Sequence, residues 1–277
     1  MNPLSAEKKP FDMFFIGLLY TTIALFLSFW IFKDFASLVM VFLITLASVP
    51  LVYSTIKIEE KKDLVIEQES RLLKEHGKAL SYLMFLFLGI TFAIALWYTF
   101  LPNQLVSSLF NVQQQTIVDV NTDITGNAIL QLGFFSKILF NNIKVLVFCL
   151  LFSFVYGTGA IFILSWNASV IGVAIGNAIR SNISYYTSSL GALGIGNYFH
   201  VISLGILKYA VHGIPEILAY FIGGLAGGII SVAVIRHDFG TKKFEHILLD
   251  STDLVILSVV FLVIAALIEV YITPLLF

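Results

Sequence analysis

The stretch FHVISLGILKYAVHGIPEILAYFIGGLAGGIISVAVIR, residues 199–236, decides the fold. Between its ends Lys208 and Glu216 are its only charged side chains apart from histidine. As one straight α-helix it would be roughly 55 Å long, against a bilayer hydrocarbon core of about 30 Å. The segment Val211-His212-Gly213-Ile214-Pro215 therefore predicts a break. Proline lacks a backbone donor and clashes with the preceding turn, and glycine tolerates dihedrals that other residues avoid. The expectation is a short re-entrant or interfacial helix ending near Val211, then a full span from about Pro215 to Ile235.

Outward from this stretch, apolar runs of about twenty residues, enough to cross a bilayer, recur at 11–32, 36–56, 80–101, 138–156, 159–177 and 253–273. The chain is 58% hydrophobic and 12% charged, whereas soluble domains carry about a quarter charged residues. The fold class is all-α, a polytopic transmembrane bundle of about seven spans plus the short helix at the Gly/Pro break. Three regions are expected: an N-terminal helical hairpin (1–56), a charged connector (57–79) read as a solvated helix, and a membrane domain (80–277). The run from Phe11 follows Lys8 and Lys9 without a small-x-small cleavage site, which reads as a retained signal anchor. Residues 103–137, polar without being charged, read as an extramembrane loop with one or two short surface helices.

An N-terminus on the cytoplasmic side of the plasma membrane places eleven of the sixteen Lys and Arg residues inside, as the positive-inside rule prefers. Seven spans then leave the C-terminus outside.

Ionisable groups at membrane depth are expensive and normally face a bundle interior or water. Lys144, Lys208, Glu216 and Glu269 are such groups. Lys208, His212 and Glu216 are spaced four apart, close to one helical face. Glu216 follows Pro215 in the first turn of the expected span, where the helix dipole favours a negative charge. Two readings stand: His212 and Glu216 form a proton- or ion-responsive pair, or Glu216 pairs with Lys208 or Lys144 and pins the break. Glu269, near the end of the last span, reads as snorkelling to the interface. Asn141, Asn142, Asn167 and Asn177 read as amides bonding between helices, and Gly223, Gly224, Gly227, Gly172 and Gly176 as close-packing positions. Gly213 and Pro215 are the hinge.

Other functions find little support. No GxSxG, HExxH or Walker loop, paired catalytic carboxylates or acidic magnesium cluster is present, so the chain reads as a non-enzyme with no cofactor. The lone Cys149 gives neither a disulfide nor a CxxC metal site, and His212 has no second histidine at ligand spacing. The net charge of -1 and the absence of an aromatic-basic cluster argue against nucleic acid. The expected surroundings are the lipid bilayer and other membrane proteins or further copies of the chain.

The run Phe134-Phe135-Ser136-Lys137-Ile138-Leu139-Phe140-Asn141-Asn142, then Gly157-Thr158-Gly159, Asn167 and Gly172, His212-Gly213-Ile214-Pro215-Glu216-Ile217, and Gly223-Gly224-Leu225-Ala226-Gly227 resembles the stage II sporulation protein M family. The resemblance covers roughly residues 80 to 277. It implies a multispanning membrane protein with a scaffold role in an envelope-remodelling complex, while wider members of the family suggest a transport-related role.

Overall fold

The computed structural model describes residues 9–66, 68–125, 131–156, 158–190, 195–235 and 240–276. Ten α-helices carry the described chain: α1 (Asp12–Ile31), α2 (Ala36–Asp63), α3 (Glu69–Phe100), α4 (Asn103–Leu109), α5 (Asn111–Thr125), α6 (Gln131–Tyr156), α7 (Ala160–Leu190), α8 (Ile195–Ile235), α9 (Lys242–Leu267) and α10 (Thr273–Leu276). A π-helical turn, Ile268–Ile272, joins α9 to α10, and no strand occurs among the described residues. Seven helices are long and apolar enough to cross a membrane: α1, α2, α3, α6, α7, the Gly213–Ile235 part of α8, and α9 with its π turn. The protein is an all-α, multipass membrane bundle.

The helix ends follow local chemistry. Asp12 puts a carboxylate in the first turn of α1, where the dipole welcomes it. Thr241 caps α9, its hydroxyl accepting from the Phe244 N–H at 3.2 Å, and Gly240 before it adopts φ 74°, a conformation that suits glycine. Pro102 ends α3 and opens α4.

Glycine seams set the helix pairing. A Cβ on Gly17 would collide with the Leu86 carbonyl, and one on Gly89 with the Phe14 carbonyl, so α1 and α3 approach backbone to backbone. Farther along the same pair, the Trp97 indole donates to Thr22 Oγ1 at 3.1 Å, which makes these two spans parallel. A Cβ at Gly172 would lie 2.8 Å from the Thr91 carbonyl and one at Gly176 2.9 Å from the Ala95 carbonyl, so α7 runs parallel to α3 as well. Gly223 faces Leu146 and Gly227 the Leu150 carbonyl, seating α8 on α6, while Gly224 meets Ala160. Small residues permit this approach where lipid supplies no hydrophobic drive between helices. The α8 span is the centre of the molecule: 83% of its most apolar window is buried, against 28% for α1 and 22% for α6.

Three sequence expectations change. The expected break at Gly213–Pro215 does not divide the helix, because α8 is continuous over 41 residues with Pro215 inside it. A proline forfeits one backbone hydrogen bond and kinks a helix without having to end it, and α2 likewise runs through Pro50. The charged connector is not one solvated helix. It folds as the end of α2 and the start of α3, with a turn after Asp63, and its inward face buries Glu59, Glu60 and His76. The polar segment after Pro102 does form two short helices, α4 and α5, yet these are not merely superficial. Val106, Leu109, Phe110 and Gln113 are buried, and Gln113 takes part in the bundle's hydrogen bonding.

Candidate functional site

Glu216 directly follows Pro215 within α8, four residues before Tyr220. That spacing stacks the two side chains on one helical face, and the Tyr220 hydroxyl donates to Glu216 Oε1 at 2.8 Å. Tyr220 is fully buried. The second carboxylate comes from the last span. Glu269 sits within the π turn, which packs against α8, the helix that carries Glu216, and against α6.

The wider winding of the π turn gives the Ile268 carbonyl the backbone N–H of Thr273, five residues on, as its donor, and the Thr273 hydroxyl donates to the same oxygen at 3.2 Å. Such one-turn π segments interrupt α-helices frequently at functional sites. On the third helix of the group, α6, Asn142 is buried and its side-chain Nδ2 has no hydrogen-bond partner in the structure. Two carboxyls in a low-dielectric setting repel when both are ionised. A proton or a monovalent cation relieves that repulsion, which is the chemistry this arrangement can perform.

The residues singled out in the sequence fare differently. Glu216 is engaged by Tyr220, and the ion pairs among the described residues do not include it. Lys144 is exposed on α6. The side chains of Lys208 and His212 lie outside the described residues. Asn141 is exposed. Asn167 donates back to the Ile163 carbonyl of its own helix at 2.8 Å instead of crossing to a neighbour. Of the four asparagines named in the sequence, Asn177 bonds to another helix, accepting from the Tyr98 hydroxyl at 3.3 Å, while Gln114 Nε2 donates to the same hydroxyl at 2.7 Å. Gly213 has open space where a Cβ would go.

Two further polar groups hold the ends of the bundle. At one end Ser37 donates to Gln113 Oε1 at 2.5 Å, and Gln113 Nε2 donates to Ser169 Oγ at 3.2 Å, tying α2, α5 and α7 together. Arg180 Nη1 donates to the Tyr98 and Leu101 carbonyls at 2.9 and 2.8 Å, and Nη2 to Asn103 Oδ1. It thereby caps the orphan carbonyls that end α3. At the other end the fully buried Glu59 accepts from Lys62 Nζ at 2.6 Å and pairs with His76 Nδ1 at 2.8 Å. Sequence reasoning missed this pair because seventeen residues separate its members. The Glu216–Tyr220 spacing was readable, but tyrosine is common enough in apolar spans to carry no signal alone. No group of three or more His, Cys, Asp or Glu arranged for a metal occurs among the described residues.

The family model described as stage II sporulation protein M matches residues 79–274. An uncharacterized protein of Methanocaldococcus jannaschii is 33% identical over 143 residues, covering 50% of this chain and 71% of that protein. No solved structure matches.

Proposed function

We propose that this chain, which belongs to the stage II sporulation protein M family, is a non-enzymatic assembly component of a plasma-membrane complex, inserted with its N-terminus in the cytoplasm. The observation that supports this reading is the uneven burial of its spans. The α8 span is buried within the chain, whereas α1, α6 and the last span each keep less than a third of their most apolar window inside it. A central helix wrapped by spans with wide apolar outer faces suits a protein that packs against lipid and against other membrane proteins, including its own copies. The seams at Gly17, Gly172 and Gly227 are used within the chain, so partner contacts fall to those outer faces.

A second reading, a permease for protons or a small monovalent cation, is favoured by the Glu216–Tyr220–Glu269 group. Intramembrane carboxylates mark ion and proton pathways in many transporters. One experiment separates the two. The purified full chain and its Glu216→Gln and Glu269→Gln variants are placed in liposomes, and proton and sodium flux are followed with a trapped dye. Assembly predicts no flux above empty liposomes for any of them, together with oligomers captured by cross-linking at cysteines placed on α1 and α6. Flux by the parent that either variant abolishes without loss of folding would overturn the assembly reading in favour of the permease.

A further inference from the structure

At the end of the bundle that carries the Glu59–His76 pair, a cavity of about 460 Å³ opens between the start of α3 and the middle of α9. Its volume falls within the range of small-molecule sites. The walls are mostly apolar, with Leu72 from α3 and Leu257 and Val260 from α9, and three polar side chains line it: His76, Asp250 and Asp253. Among the described residues that line it, none is Lys or Arg. Arg71 and Lys74, beside Leu72 on α3, are exposed and outside the lining.

The polar groups share one chemical character. Asp250 pairs with His246 at 2.7 Å, and Asp253 is exposed at the rim. When His76 Nδ1 donates to Glu59, the other ring nitrogen of the neutral imidazole is an acceptor. The cavity also straddles a boundary. Asp253 is the last charged residue of α9, and no other follows until Glu269, so one end of the cavity belongs to the polar edge of the membrane and the other to the hydrocarbon. An occupant must therefore be amphiphilic, and its head must bring positive charge and N–H donors. A purely anionic head would face two carboxylates with no Lys or Arg beside them among the described lining residues.

We propose that this cavity binds an amine-bearing amphiphile, its ammonium head at Asp250 and Asp253 and its apolar chain along Leu257 and Val260. The head belongs either to an aminophospholipid of the surrounding bilayer or to a free amphiphilic amine. The test is native mass spectrometry of the full chain released from detergent micelles after addition of dodecylamine, dodecanol, phosphatidylethanolamine or phosphatidylcholine. The expected result is retention of dodecylamine roughly tenfold above dodecanol, the scale of one charge-assisted hydrogen bond. The combined Asp250→Asn and Asp253→Asn variant should lose that preference. Leu257→Trp, which fills the apolar end without touching the charges, should lower retention of the amine and keeps the test open if the double variant does not fold. Phosphatidylethanolamine retained in preference to phosphatidylcholine assigns the site to a bilayer lipid, and dodecylamine retained without phosphatidylethanolamine assigns it to a free amine. Equal retention of amine and alcohol, or a preference unchanged in both variants, overturns the proposal.

Discussion

Tyr220 and Glu216 are four residues apart on α8, the tyrosine fully buried and the carboxylate half-buried, and one hydrogen bond joins them. Replacing Tyr220 by Phe keeps the ring and deletes only the hydroxyl. The expected loss is about 1 kcal/mol, the usual net contribution of one intramolecular hydrogen bond, read as a lowered midpoint in thermal unfolding of the detergent-solubilised chain. Glu59 has a larger stake. It is fully buried and held by the Lys62 ammonium together with a hydrogen bond from His76, and a hydrogen bond to a charged group contributes roughly 1.5–3 kcal/mol. His76→Leu should therefore destabilise the chain more than Tyr220→Phe in the same assay; an equal or smaller effect would show that Lys62 alone satisfies the carboxylate. The difference between these two sites also explains what the sequence revealed. A charge inside an apolar run stands out, which is how Glu216 is found. Glu59 sits in a charged run, where nothing in composition separates a buried carboxylate from a solvated one.

The Gly/Pro motif of α8 teaches a related lesson about elements. Reading a break there rests on length: 38 residues from Phe199 to Arg236 are too many for one crossing. The length argument places the crossing part from about Pro215 onward, and Gly213–Ile235 is long and apolar enough to cross. It does not require the helix to end at the membrane edge, because a helix of 41 residues can continue past it. Local geometry then separates the glycines. A Cβ at Gly213 meets nothing within 4 Å, whereas one at Gly227 would lie 2.7 Å from the Leu150 carbonyl. Gly213→Ala should be neutral or stabilising by up to about 1 kcal/mol, since alanine is the better helix former. Gly227→Ala should destabilise by about 1–3 kcal/mol, the usual penalty for overpacking against neighbours that cannot yield. If thermal unfolding instead finds Gly213→Ala the more damaging of the two, α8 bends at that glycine in a way its continuous helix does not reveal.

Topology makes the largest-scale prediction, because the parallel pairs fix which spans point the same way. The α1–α3 and α3–α7 contacts require these three spans to cross in one direction, as alternating antiparallel crossings from a common start demand. That consistency binds the connector between α2 and α3 and the start of α9 to one side of the membrane, and Lys33 with α4 to the other. The first side carries Lys57, Lys61, Lys62, Arg71, Lys74 and Lys78 on the connector, with Lys242 and Lys243, and the proposed orientation, which follows the positive-inside rule, puts it in the cytoplasm. In a chain whose buried Cys149 is replaced by serine, single cysteines at Lys33 and Gln104 should react with a membrane-impermeant maleimide added to intact cells. Cysteines at Lys61 and Lys242 should react only after permeabilisation. The reverse pattern would invert the whole bundle at once, moving the amphiphile cavity to the outer face and Gln113 and Arg180 to the inner one. A mixed pattern, with Lys61 and Lys242 on opposite sides, would mean an odd number of spans between them and would break the parallel pairing on which the seven-span order rests.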